Sequence, residues 1–458
     1  MNKSGLKLVI ALLLCLNLIG TSIPVGAAPV NQMPDVSRPM LDPEFWTAKL
    51  SDPDGIVMPL EDIGAFNRAV IKALPGTVCD LKTCSSFMSG DQLKKQINVP
   101  FPEYPMYIGP NQVAQSYLEQ MKVNMNLDAI RDGNEVRYAF TVKRSSLRVY
   151  PTSDVVSDEP NDQEFDLFQN TAVHPFEPLL IYHQSADRNW YFARMYNCFG
   201  WLPATDVAIS PDRTTWVAYQ SPGRFVLAAG NRLRLCENPN APEISNLELP
   251  MGTIIPLADD PIPTMIDRQD PTGNYVVKLA VRTAGGQLAF KLGLLPYSLD
   301  VQEGYLPYTR ANVIKQAFKL QGDRYGWGGM LDSHDCSSLI LDVYRCFGFR
   351  LPRNSEQQAA SAGQTVSFEV GEADKRADLF KDLLPGASLH FPGHVMLYLG
   401  EEGGRYYVIS ALGNWAVKNG SGIMEALRVH GVVVNNLDLT RKNGKTWMES
   451  LTVAKQYQ

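Results

Sequence analysis

The stretch Tyr325-Gly-Trp-Gly-Gly-Met-Leu-Asp-Ser-His-Asp-Cys-Ser-Ser-Leu339 constrains this chain more than any other. A Gly-rich turn runs into Asp335-Cys336-Ser337-Ser338, and apolar residues then recur at Leu339, Ile340, Val343, Tyr344 and Phe347. That spacing predicts an amphipathic helix with Asp335 as its N-cap and Gly348 as its stop. It places Cys336 in the first turn, where free backbone N–H groups and the positive end of the helix dipole favour thiolate. Downstream, Phe391-Pro392-Gly393-His394 opens an apolar strand through Gly400. The two residues are 394 − 336 = 58 positions apart. A helix-start cysteine and a strand-start histidine suit nucleophilic catalysis, with Cys336 as nucleophile and His394 as general base.

Around that pair stand 458 residues, enough for several domains rather than one core. The net charge of −6 gives no reason to expect a nucleic-acid partner, and bulk attraction to an anionic wall polymer is not expected either. Lys3 and Lys7, the apolar run Leu8 to Leu18 and the small residues Val25-Gly26-Ala27-Ala28 read as a secretory signal peptide cut near Ala27 or Ala28. The rival is an uncleaved anchor, for which the apolar run is short. Cys15 lies inside that run, which leaves six cysteines, too few for a disulfide scaffold in so long a chain. Cys79 and Cys84, in Cys-Asp-Leu-Lys-Thr-Cys, are either a local bridge or two unrelated thiols; no second ligand pair accompanies them to make a zinc site. Cys346, on the Cys336 helix, is expected to pack.

The texture along the chain predicts a multidomain α+β protein. After residues 1–27, residues 28–132 open with a Pro-rich lead and carry helical patterns at Ile63–Leu74, Asp91–Ile97 and Gln112–Leu127. This is read as a mainly helical N-terminal domain with a stabilising or docking role. Short alternating runs follow at Tyr138–Val142, Leu147–Tyr150, Leu179–Tyr182 and Trp190–Arg194. A faint echo comes later, Leu233-Arg-Leu-Cys236 matching Leu147-Arg-Val-Tyr150. Two small β-barrels in tandem, 133–213 and 214–300, fit that pattern. Residues 301–458 place helices first and antiparallel strands after.

Other histidines compete with His394. His334 is two residues before the cysteine but on a loop that orients it poorly; His390 reads as a surface or edge residue; His174, His183 and His430 carry no partner signal. A third group that fixes the imidazole is expected on the next strand, where Ser410 is the polar residue and Asn414 lies just beyond.

Together, Tyr325-Gly-Trp-Gly-Gly, Asp335-Cys-Ser-Ser338, Phe349-Arg-Leu-Pro-Arg353-Asn-Ser355, Leu384-Pro-Gly386 and Gly393-His-Val-Met-Leu-Tyr-Leu-Gly400 resemble the NlpC family of papain-like cell-wall cysteine peptidases. The resemblance covers about residues 305–440, and the upstream β units resemble bacterial SH3-like domains. It implies a papain-like C-terminal peptidase domain preceded by two small SH3-like β-barrels. It further implies hydrolysis of peptidoglycan stem peptides, typically between γ-D-glutamate and a diamino acid, with Cys336 as nucleophile, His394 as base and no metal or organic cofactor. The family's third residue is commonly His, Asn or Gln; the matching position here is Ser410, a departure that puts the rate in question, with Asn414 as substitute. Tyr325, Asp335 and Ser337 match positions lining the substrate cleft, and Asp335 can bind the free amine of an N-terminal L-alanine or serve only as helix cap. The expected protein is an exported monomer, periplasmic or wall-associated, whose partners are muropeptides. The alternative is a wall-binding protein with a degenerate peptidase domain, and a third reading is acyl transfer to amines.

Overall fold

The computed structural model describes residues 33–85, 87–368 and 373–458. The signal-peptide expectation, residues 1–27, lies outside them. The C-terminal module is built on a six-stranded antiparallel sheet. Its strands lie in the order Gln364–Ser367, Val453–Gln456, Ser388–Phe391, His394–Glu402, Arg405–Lys418 and Met424–Asn436. The four strands from Ser388 to Asn436 form a meander, as their short turns dictate. The chain's final strand then inserts between Gln364–Ser367 and Ser388–Phe391.

The helix Cys336–Arg345 packs on one face of that sheet, against the His394 and Arg405 strands. Leu339, Ile340, Val343 and Tyr344 are buried there with Val395, Leu397 and Ile409. Alternation along the His394 strand sends Met396 and Tyr398 to the opposite face, into a second cluster with Phe380 and Trp447. Helix Arg310–Phe318, capped by Thr309, packs beside the cysteine helix.

The first β unit is a seven-stranded antiparallel sheet running from Arg137–Thr141 to Val207–Ile209. Its interior holds Ala139, Leu147, Val173, Leu179, Ile181 and Leu202. Helix Arg213–Gln220, capped by Asp212, follows, and its Trp216 is fully buried and donates to the Ala139 carbonyl. The second β unit is built from shorter pieces: Phe225–Ala228 between Ile254–Pro256 and Val301–Glu303, Arg232–Arg234 with Glu248–Pro250, and the long hairpin Asn274–Arg282 with Leu288–Pro296. The strand Val301–Glu303 thus belongs to this unit although it begins after residue 300.

Before the β units, helices span Leu60–Ala73, Gly90–Ile97 and Gln115–Asn124, with two short strand pairs between and around them. Ile63, Phe66 and Val70 form the buried stripe of the first. This region reaches the C-terminal module: fully buried Trp46 meets Tyr407 at 5.4 Å, and Val57 donates to the Tyr308 carbonyl. Among the described residues no helix is long and apolar enough to cross a membrane.

Candidate active site

The Gly-rich motif has a use that composition alone does not reveal. It folds as a tight turn, Trp327–Asp332, with positive φ at Gly328 (57°), Gly329 (77°) and Leu331 (56°). A Cβ on Gly328 would meet Gln169 Cγ at 2.6 Å, and one on Gly329 would meet the Ala172 Cβ at 2.5 Å. The glycines therefore allow the loop to lie directly on strand Gln169–Val173 of the first β unit. Gln169 Nε2 donates to the Gly328 carbonyl at 2.9 Å and Arg144 to that of Gly329 at 2.6 Å. The loop is pinned rather than loose.

Asp335 then caps the helix, accepting from Ser338 N at 2.8 Å, and Ser338 Oγ returns a bond from the Asp335 amide. The carboxylate has further partners. Gly328 N, Ser337 Oγ and, at 2.6 and 3.2 Å, the guanidinium of Arg353 all donate to it. Arg353 also holds Ser337 Oγ at 2.8 Å and Thr171 of the first β unit at 2.6 Å. Burial alone would raise the pKa of Asp335, and Arg353 outweighs it, so the carboxyl is held below its usual range. Asp335 is thus both a cap and one half of a buried ion pair.

The Cys336 thiol lies against the backbone of Val395, next to His394. Tyr325 is beside it, its phenol pushed up by burial and then by the nearby Cys336 and Asp335 charges. The expected preference for thiolate is opposed by the surroundings of the sulfur. Burial, then the Asp335 charge, pushes the thiol up to about 12, against the opposing pull of the Val395 amide and Arg353. Burial, then Arg441, pushes His394 down to about 4, while Asp335 opposes. Both shifts favour the neutral thiol and the neutral imidazole, because desolvation acts against either charge. The His394 ring stands between Phe391 and Trp447, at 5.2 and 5.1 Å, and its Nε2 is buried without a partner.

Ser410 is buried on the neighbouring strand and donates to Asn435 Oδ1 at 3.2 Å; no hydrogen bond joins it to His394 among the described residues. Asn414 lies farther along, beside a cavity of about 520 Å³ that it lines with Phe165, Trp327, Arg428 and His430. The structure thus gathers Cys336, Asp335, Ser337, Tyr325 and the start of the His394 strand, and leaves Ser410 and Asn414 without a bond to the imidazole.

One histidine reading needs correction. His390 is not a surface or edge residue: it is buried, paired with Ser388 Oγ at 2.9 Å, and lowered to about 3, mainly by burial. His334 points away from the thiol, its Nε2 3.2 Å from Asp342 Oδ2. His174 meets the same oxygen at 3.3 Å, and His183 Nε2 lies 3.0 Å from the Met125 carbonyl. His430 pairs with Glu164 at 2.9 Å. Glu164 and Phe165 sit on the loop between strands Ser145–Arg148 and Gln169–Val173; Glu164 also pairs with Arg324, and Phe165 packs on Tyr325 and Trp327 at 5.9 and 5.8 Å. Nothing local marks these two residues in the sequence. Arg353 lies in the Phe349-Arg-Leu-Pro-Arg353 motif, but nothing local separates it from Arg350 as the partner of a buried carboxylate. Among the described residues no group of three His, Cys, Asp or Glu side chains could hold a metal ion.

The comparisons with known proteins agree with this layout. Residues 322–448 match the NlpC/P60 family. The C-terminal module is an NlpC/P60 domain. Residues 156–203 match an SH3 domain of the SH3b1 type, the part of the first β unit that carries Glu164, Phe165 and Thr171 onto the NlpC/P60 domain. The fold is similar to that of an NlpC/P60 endopeptidase from Photobacterium damselae subsp. piscicida, at a TM-score of 0.71 and 18% identity, covering 90% of this chain and 96% of that one. An NlpC/P60 family protein from Bacillus cereus ATCC 10987 aligns at 0.49 and 17% identity over 70% of this chain and 99% of that one. No curated protein matches the chain in sequence. NlpC/P60 is a family of cysteine peptidases, and the chain carries its cysteine and histidine motifs in order.

Proposed function

We propose that this chain is an exported cysteine endopeptidase that hydrolyses peptidoglycan stem peptides, at the bond between γ-D-glutamate and a diamino acid. The observation that carries the reading is the seating of the Cys336 thiol, at a helix start, against the strand start that presents His394, within the NlpC/P60 match. The relative from Photobacterium damselae is described as an endopeptidase, and its overall likeness supports the same reaction class here.

In this reading the neutral pair is the starting state. As Cys336 Sγ attacks the amide carbonyl, His394 takes its proton, then gives it to the departing amine. The backbone N–H of Cys336, at the N-terminus of its helix, faces the developing oxyanion. Water then hydrolyses the thioester, with His394 as base. Arg353 matters because it balances Asp335: an uncompensated carboxylate beside the sulfur would oppose formation of a second anion. Asp335 already accepts from four partners, so its part toward a substrate amine is as an added contact rather than a vacant acceptor. Ser410 positions the strand through Asn435 in this scheme and does not orient the base. The first SH3-like unit serves to close one side of the cleft through Phe165.

The test is incubation of the purified chain with muropeptides, followed by mass spectrometry. Cleavage by the wild type, abolished in Cys336→Ala, is the expected result. Intact but retained muropeptides would replace the enzyme by a wall-binding module, the reading that Ser410's bond to Asn435 favours. New amide products in the presence of amines would make it an acyl transferase.

A further inference from the structure

Far from the candidate active site, Cys79 and Cys84 lie on one short turn between the first helix and the first β unit. Their sulfurs are 2.7 Å apart, and both side chains are partly exposed. The backbone around them is already fixed in the conformation that brings them together. Thr83 N and Cys84 N both donate to the Asp80 carbonyl, Cys79 N donates to the Tyr196 carbonyl, and Arg213 donates to the Lys82 carbonyl. Between the cysteines Leu81 is buried, in a cavity that it shares with Glu177, Tyr196 and Arg345. We propose that Cys79 and Cys84 are a disulfide-forming pair, oxidised by thiol–disulfide exchange with a small-molecule or protein disulfide, and that the bond locks Leu81 into the junction of the N-terminal region with the first β unit.

The chemistry is set up for that exchange. Arg194 lies near both sulfurs and favours the thiolate of either. Cys79 is driven up, chiefly by its bond to Cys84, and Cys84 is brought down to about 7 by the same bond, with help from Arg194. With oxidised glutathione as the donor, the Cys84 thiolate attacks one sulfur and expels one glutathione thiolate. Cys79 then loses its proton to solvent and attacks the Cys84 sulfur of the mixed disulfide, expelling the second. Two protein thiols are oxidised and one glutathione disulfide is reduced to two thiols. Cys346, by contrast, is fully buried and is no partner for this pair.

The proposal does not depend on the peptidase reading, and its test uses Cys336→Ala so that the candidate nucleophile cannot react. The full-length variant is equilibrated with oxidised glutathione, denatured, alkylated and weighed intact. The expected mass shows two cysteines fewer alkylated than in a reduced control. Lys82 lies between the two cysteines, so trypsin separates them into two peptides. Those peptides are expected to remain joined until reductant is added, and adding Cys84→Ser is expected to abolish the link. Recovery of both peptides separately alkylated after oxidation would overturn the proposal, as would a stable glutathione adduct on Cys84 with Cys79 still free. A link from Cys79 or Cys84 to any other cysteine would overturn it equally.

Discussion

Arg353 and Asp335 show how one charge can govern another's chemistry. Each is buried, and each makes the other tolerable in a site without bulk water. Arg353→Met would leave the carboxylate buried and unpaired, at a cost of about 3–5 kcal/mol by the usual measure of broken buried pairs. It would also remove the cation that opposes Asp335 at the sulfur, so iodoacetamide should alkylate Cys336 more slowly at every pH from neutral upward. The pH dependence of stability has a definite sign. Asp335 is held below its usual range, so its contribution is complete above about pH 4 and is lost as acid takes the pH through the lowered value. Urea melts across that window should show a steeper loss for the wild type than for Arg353→Met. Ser410 is a second case. Its hydroxyl serves Asn435, so Ser410→Ala should keep kcat/KM toward muropeptides within about tenfold, whereas His394→Ala should lose about 10²–10⁴-fold. A loss from Ser410→Ala as large as that from His394→Ala would return the serine to the role first expected of it.

At the level of elements, the cysteine helix was the most legible feature in the chain, because everything that defines it is local. Its cap, its apolar stripe and its stop lie within Asp335 to Gly348. The Gly-rich loop was legible as a turn but not as a contact surface, since the strand it rests on is some 160 residues earlier. Gly329→Ala is therefore expected to act across two units at once. The added methyl meets Ala172 and the residue must keep a positive φ, together costing about 1–3 kcal/mol. The check is a lower thermal midpoint together with reduced muropeptide cleavage; an unchanged midpoint would show that the loop does not need its close seat. His390 failed for a topological reason. Read in sequence order, Ser388–Phe391 begins the meander and should be an edge, yet Val453–Gln456 pairs along its outer side and makes it interior. No local pattern signals which edge a distant strand will cover.

Across the whole molecule, the units are joined by polar groups as well as apolar ones. Asp342, on the cysteine helix, is shared by His334 and by His174 of the first β unit, while Arg345 reaches both His174 and Glu177. Thr253 of the second β unit touches the same imidazole at 3.3 Å. One hydrophobic cluster runs through the N-terminal helices, both β units and the NlpC/P60 domain. A fragment of residues 301–458 alone would leave Asp342 and Arg345 without these partners and would bare the underside of the glycine turn. It should unfold at lower guanidinium than the intact chain, followed by circular dichroism; an equal midpoint would mean that the domain needs no neighbour.

The place of Val453–Gln456 in the middle of the sheet has a bearing on biosynthesis. Tyr457, just after it, is buried and its carbonyl receives the Tyr308 hydroxyl. Until the ribosome has released this stretch, the strand that carries His390 lacks its neighbour on one side, and the sheet beneath the cysteine helix stays incomplete.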